Sequence, residues 1–216
     1  MFKFNYLIYD SMKKKLKNIS IKEFEEEYSM IYGAFELLIN GKMYNYIVRY
    51  EDQKFCNEKE KEEFDDLFEL QDIISLWIII FLEICIELKK KDYVAVMDIE
   101  SENWLEFKKI YNELYISQIE EEKVKSKIKN SHIVKVYNKF YDEDKNKNIF
   151  FKEEKINFEE FISEIQITTK KFIKEIKEIN PVLLKSKEVS NIIKKYNILT
   201  SKEYSAEENY NYESFK

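Results

Sequence analysis

Asp98, Glu106 and Lys108 come nearest, in residue type and spacing, to a catalytic set in this chain. Two carboxylates can share a divalent cation, and a lysine beside them can assist a metal-bound water in attacking a substrate. Asp98 stands near the end of DYVAVMDI, which reads as a strand, and Glu106-Phe107-Lys108 stands in the following WLEFKKIY. Alternation along a strand puts Glu106 and Lys108 on one face, as such chemistry requires. Composition dilutes the signal, because a chain with 36% charged residues repeats E-x-K readily, as in Glu175-Ile176-Lys177. Other catalytic sets find no material. His132 is the single histidine, Cys56 and Cys85 lack metal-ligand spacing, and 2 glycines cannot build a phosphate-cradling loop. Neither a resident metal nor a cofactor is expected.

A second group of residues suits binding better than catalysis. In EKEKEEFDDLFELQD, Glu58, Glu62, Asp65, Asp66, Glu69 and Asp72 fall at helical intervals, and no lysine interrupts the run from Glu62 to Asp72. On one helix these carboxylates share a face and form an anionic stripe about 20 Å long, at about 1.5 Å per residue. Like charges one turn apart repel by about 0.2–0.5 kcal/mol per pair. Charge runs are most often solvated faces, but one without compensating lysines fits presentation to something basic. Phe64 and Phe68 beside the acids are either aromatic anchors for a partner or core residues. Glu120 to Glu122, Asp142 to Asp144 and the Glu207-Glu208 pair add further anionic clusters.

The elements that must carry these residues follow from the composition. With 216 residues and 44% hydrophobic content the chain can bury a substantial core, while 2 Gly and 1 Pro favour long regular elements. A formal charge of -6 argues against a general grip on phosphates, so no direct nucleic-acid partner is expected. Cysteine usage fits a reducing compartment. The start of the chain lacks a secretory pattern, and the longest uncharged run, Ile73 to Leu82, is half of the about 20 residues a membrane span needs. The expectation is a cytoplasmic protein without a membrane partner.

FKFNYLIY reads as a strand, and Ser20 to Met30 is open between strand and short helix. Asn40-Gly41 predicts a type I′ hairpin with Ile39 opposite Lys42, Leu37 opposite Tyr44 and Phe35 opposite Tyr46. A long helix is expected from about Glu58 to Lys90, its first half acidic and its second apolar nearly all round. A hairpin around Asn112-Glu113 and a strand in SHIVKVYN follow. Asn157 predicts an N-cap with Glu160 three residues on, opening a helix that Pro181 ends, and a shorter helix spans about Lys187 to Tyr196. The class is α+β: an antiparallel sheet with hairpins packed on a central long helix, then a helical C-terminal third. Residues 1–150 form the α+β core, 151–199 supply helices packed on it, and 200–216 are a polar tail.

GAFELLINGKMYNYI, an acidic helix, and LWIIIFLEICIELKKKDYVAVMDIESENWLEF together resemble bacterial immunity proteins that neutralise polymorphic toxins, over residues 31–119. That resemblance implies a non-catalytic inhibitor whose partner is a basic protein effector, a toxin or nuclease. It transfers no functional residues. Phage-borne anti-CRISPR-type inhibitors are similarly acidic and rely on the same physics. The alternative is an enzyme, since Asp98, Glu106 and Lys108 are similar to the D…ExK pattern of PD-(D/E)xK nucleases. A third reading is a structural module that pairs with itself.

Overall fold

The computed structural model describes residues 1–44, 47, 72–97, 103–120, 133–135 and 152–201. These residues form an α+β fold of two antiparallel sheets and five α-helices. In the first strand, β1 (Phe2–Leu7), Phe2, Phe4 and Tyr6 alternate into the core. Two short helices follow, α1 (Asp10–Leu16) and α2 (Ile21–Glu27). Ser20 decides the open segment in favour of helix. Its side chain accepts from the Glu23 N–H while the Glu23 carboxylate accepts from the Ser20 N–H, a complete capping box.

The first sheet continues with β2 (Tyr32–Ile39) beside β1 and β3 (Lys42–Tyr44) on the other edge of β2. The Asn40-Gly41 turn has φ of 51° and 82°, and the observed register, Ile39 opposite Lys42 and Leu37 opposite Tyr44, is the one that turn dictates. Tyr46 and Val48 lie outside the described residues. A two-residue strand, β4 (Asp72–Ile73), also pairs with β2.

The apolar segment folds as α3 (Ile74–Leu88), with Ile74, Trp77, Ile78, Ile80, Phe81, Ile84 and Leu88 all buried. A helix apolar on every side must be enclosed, and α3 contacts β2, β5 and both C-terminal helices. It begins at Ile74, not within the acidic run. The expected continuous helix from Glu58 to Lys90 is therefore broken at Asp72–Ile73, where the backbone pairs with β2 instead of coiling.

A second sheet has the order β8 (Ile133–Lys135), β5 (Tyr93–Met97), β6 (Asn103–Ile110), β7 (Glu113–Glu120), β9 (Glu154–Asn157). The expectation of one sheet is corrected to two. The β6–β7 turn sits at Tyr111-Asn112, one residue earlier than the sequence suggests, and places Tyr111 at φ 55°. The sheets meet where the β2–β3 tip reaches β9: Asn40 Nδ2 donates to Glu154 Oε2 and to the Lys155 carbonyl, both at 3.0 Å, and Lys42 pairs with Glu154 at 2.5 Å.

Asn157 caps α4 (Phe158–Ile179) by accepting from the Glu160 N–H. Asn180 ends it. Its amide donates to the carbonyls of Leu16 and Ile19, tying the turn before the 3₁₀ helix Pro181–Lys185 to the α1–α2 connection. The last helix, α5 (Lys187–Thr200), runs four residues past its expected end at Tyr196. It lies parallel to α3, with Ser75 on Glu188, Glu83 on Lys195 and Lys89 on the Leu199 carbonyl. One hydrophobic cluster runs through all of these layers, from Phe2 to Leu199.

Along the edge of β1 that β2 leaves free, α4 supplies hydrogen-bonding side chains. Glu164 accepts from the Phe4 N–H at 3.3 Å and Thr168 donates to the Phe4 carbonyl at 3.0 Å, so buried strand groups are satisfied without another strand. The neighbouring Thr169 is also buried, yet its hydroxyl has no hydrogen-bond partner. Two isosteric changes one residue apart should therefore differ in sign. Thr168→Val strands a buried carbonyl and should cost about 1–3 kcal/mol, whereas Thr169→Val removes an orphaned hydroxyl and should be neutral or stabilising by up to about 1 kcal/mol. Urea unfolding of both variants measures the contrast.

Candidate functional site

β2, which pairs with both β3 and β4, is where the acidic run joins the sheet. β3 places Tyr44 opposite Leu37, and continuing that register would bring Val48 opposite Gly33. Asp72 stands there instead, 24 residues further along. β3 and β4 both pair antiparallel with β2, β3 along Leu37–Ile39 and β4 along Tyr32–Gly33.

Of the six carboxylates in the expected stripe, Glu58, Glu62, Asp65, Asp66 and Glu69 lie outside the described residues. Asp72 is described, and it does not belong to a solvent-facing helix. It is 2% exposed in β4, opposite Gly33, and acts as an anchor of the returning chain. Ladder pairing outweighs its helical spacing because Ile73 and Asp72 complete the backbone bonds of β2, and apolar α3 must begin directly beneath the sheet. Next to this anchor, Ser75 Oγ accepts from the Ile31 N–H at 3.0 Å and donates to Glu188 at 2.7 Å. Burial holds the Glu188 carboxyl above the usual carboxylate range, against the opposing effect of the Ser75 hydroxyl.

Many other described carboxylates are matched by this chain's own cations. Lys3 meets Glu164, Lys13 meets Glu175, Lys42 meets Glu154, Lys91 meets Glu87 and Lys195 meets Glu83. Glu113 pairs with Lys155 and holds its carboxyl below the usual range through that contact and the Tyr115 hydroxyl. Exposed pairs of this kind contribute little to stability. Their consequence is electrostatic: they flatten the field of the surfaces they occupy.

The D…ExK residues sit in the second sheet. Glu106 lies between Ala95 and Ser117, and Lys108 between Tyr93 and Tyr115, so the two share the face opposite Phe107, as alternation predicts. Glu106 is 3% exposed and its Oε1 accepts the Tyr93 hydroxyl at 2.6 Å, whereas Lys108 is exposed. Asp98 lies outside the described residues, and the residue opposite Glu106 is Ala95. The Tyr93–Glu106 bond ties β5 to β6. Among the described residues no group of three or more His, Cys, Asp or Glu is placed to hold a metal ion.

Of the two cysteines and the histidine, Cys56 and His132 lie outside the described residues. Cys85 is buried in α3, and burial pushes its thiol well above the ordinary value, which suits a small core residue and not a nucleophile. Among the described residues no helix is long and apolar enough to cross a membrane. Sequence reasoning missed the Tyr93–Glu106 and Ser75–Glu188 pairs, because each joins residues on different elements and depends on packing. Comparison of the chain with protein-family models, with curated proteins and with solved structures gives no match in any of the three, so the functional reading rests on the geometry and charge of this chain alone.

Proposed function

We propose that the protein is a non-catalytic acidic inhibitor that docks, in the cytoplasm, onto a basic nucleic-acid-processing effector and covers the surface with which that effector binds phosphates. The effector is a toxin or a nuclease, as for toxin immunity proteins and anti-CRISPR-type inhibitors. One observation carries this reading. β3 and β4 both pair with β2, and the sequence between them holds Glu58, Glu62, Asp65, Asp66 and Glu69 with no lysine after Lys61. Carboxylates concentrated between two strands of a packed sheet would raise the rate of encounter with a cationic surface above the about 10⁵–10⁶ M⁻¹s⁻¹ of unsteered association. Affinity would come from aromatic anchors beside them, for which Phe64 and Phe68 are the candidates.

The test first seeks, among the proteins encoded beside this gene, a basic toxin or nuclease that the protein inhibits. Replacing Asp65, Asp66 and Glu69 by lysine should slow association about tenfold or more at low salt, with the difference shrinking as salt rises and the circular dichroism unchanged. Asp72 is left out of the variant because it is buried. Undiminished inhibition by the folded triple variant sinks the proposal.

A further inference from the structure

Positive charge gathers on one side of this acidic chain. Residues 10–17 and 166–178 hold eight lysines against three carboxylates, although the formal charge of the whole is -6. The fold brings the two stretches together. Lys13 on α1 meets Glu175 on α4 at 2.9 Å, the Tyr6 hydroxyl donates to the other Glu175 oxygen at 2.9 Å, and Lys171 lies 5.1 Å over the Tyr6 ring. Asn180, just past α4, holds the carbonyls of Leu16 and Ile19. α1 therefore runs alongside the C-terminal half of α4.

Helical spacing places Lys170, Lys174 and Lys177 on the exposed side of α4, about 10 Å from first to last, with Lys171 beside them toward α1. Lys14 and Lys17, exposed on and just after α1, extend the patch. Its carboxylates do little to cancel it. Glu175 is taken by Lys13 and Tyr6, and Glu178 meets Lys174 at 3.7 Å in an exposed pair. Lys14, Lys17, Lys170, Lys171 and Lys177 form no ion pair among the described residues. Compensation of the helix dipole accounts for Lys177, in the last turn of α4, but acts too locally to account for Lys170 and Lys171, about two turns before Ile179.

The make-up of the face selects its partner. Specific protein interfaces centre on buried aromatic or apolar anchors, and the one large apolar side chain exposed on α1 or α4 is Ile167. A helix that lies in a bilayer surface must offer its apolar side, whereas α4 turns that side into the core. Lysines at helical intervals, without an anchor, suit a regularly charged polymer. A grip on phosphates answers to charge within a Debye length, about 8 Å at physiological salt, and not to the total over the chain.

We propose that the α1–α4 face is a sequence-independent contact for the phosphate backbone of nucleic acid. It lies on helices apart from the acidic run, so it does not rest on the inhibitor reading and its test needs no effector. It limits the expectation, drawn from total charge, that the chain meets no nucleic acid.

The experiment titrates the full chain against a fluorescent DNA duplex of about 20 base pairs between about 50 and 200 mM salt. The logarithm of the binding constant should fall with that of the salt concentration at a slope of about −4, for about four phosphates neutralised. Replacing Lys170, Lys171, Lys174 and Lys177 by glutamine should weaken binding about tenfold or more at the lowest salt and roughly halve the slope, while arginine at the same positions should preserve both. Lys14→Gln with Lys17→Gln reads the face from α1 and should flatten the slope by about 1. Lys108→Gln with Lys194→Gln, exposed on β6 and α5, controls for net charge and should leave binding unchanged. Circular dichroism verifies that each variant is folded. Absence of binding by the full chain at the lowest salt, equal weakening by the control and the α1 pair, or a preference for poly-L-glutamate or anionic vesicles over the duplex each overturns the proposal.

Discussion

Phe81→Ala should destabilise the protein by about 3–5 kcal/mol, the range for truncating a fully buried aromatic. Phe81 lies on α3 where every layer converges. Its ring centroid is 5.0 Å from that of Phe4, 5.9 Å from Trp77, 6.1 Å from Phe2 and 6.3 Å from both Phe107 and Phe161. Those partners come from the first sheet, the second sheet, α3 itself and α4. A cavity there cannot be filled by moving one element, because each neighbour is also held by others, and close-packed interiors relax only in part. Domains hold only about 5–15 kcal/mol in total, so the variant should lose about 10 °C or more of its melting temperature. Phe81→Leu, which keeps most of the volume, should cost much less. A variant that melts within a degree or two of the parent would show that the two sheets do not share this core.

Gly33→Ala should be comparably damaging for a different reason. A methyl group at position 33 would lie 2.2 Å from the Leu7 carbonyl oxygen and 2.4 Å from Ile74 Cδ1. The first neighbour is backbone, pinned in the β1–β2 ladder with Leu7 opposite Ala34, and the second begins α3. The Ile74 methyl can swing aside, but the Leu7 carbonyl does not yield without opening the sheet, so the overpacking cost should reach about 3 kcal/mol, at the top of its usual range. Gly41→Ala is the matched control. Position 41 has nothing within 4 Å and φ of +82°, so its cost is only that of the left-handed backbone, about 1–2 kcal/mol. Denaturant midpoints of the two alanine variants should differ clearly. Equal midpoints would contradict the close approach at Gly33.

The Gly33 substitution also bears on the proposed inhibitor. Gly33 stands opposite Asp72, at the position where the acidic segment rejoins the sheet. Partial damage there should weaken partner binding together with stability, while charge reversal at Asp65, Asp66 and Glu69 should affect binding alone. Circular dichroism beside an association rate separates the two mechanisms.

Local physics was legible in the residues themselves. Asn40-Gly41 specified its turn and, through it, the register of β3, because only two consecutive positive-φ residues close such a hairpin. Asn157 and Pro181 bounded α4 because capping and the missing proline N–H act within one helical turn. Uniform apolarity marked α3 as an enclosed helix. Asp72 shows where that reading stops: its spacing fits a helix, but its backbone is claimed by a strand distant in sequence, and periodicity carries no information about partners far along the chain. The same holds for Gly33, whose glycine is required by the Leu7 carbonyl, and for Phe81, which looks like any other phenylalanine of α3 until two sheets close on it. Sequence alone thus determined the charge, the Asn40-Gly41 turn and the α4 cap, since each depends on neighbours within a few residues. Tertiary structure alone decided that there are two sheets, that Asp72 is buried as an anchor, and that β2 pairs with both β3 and β4, because those outcomes depend on which surfaces meet.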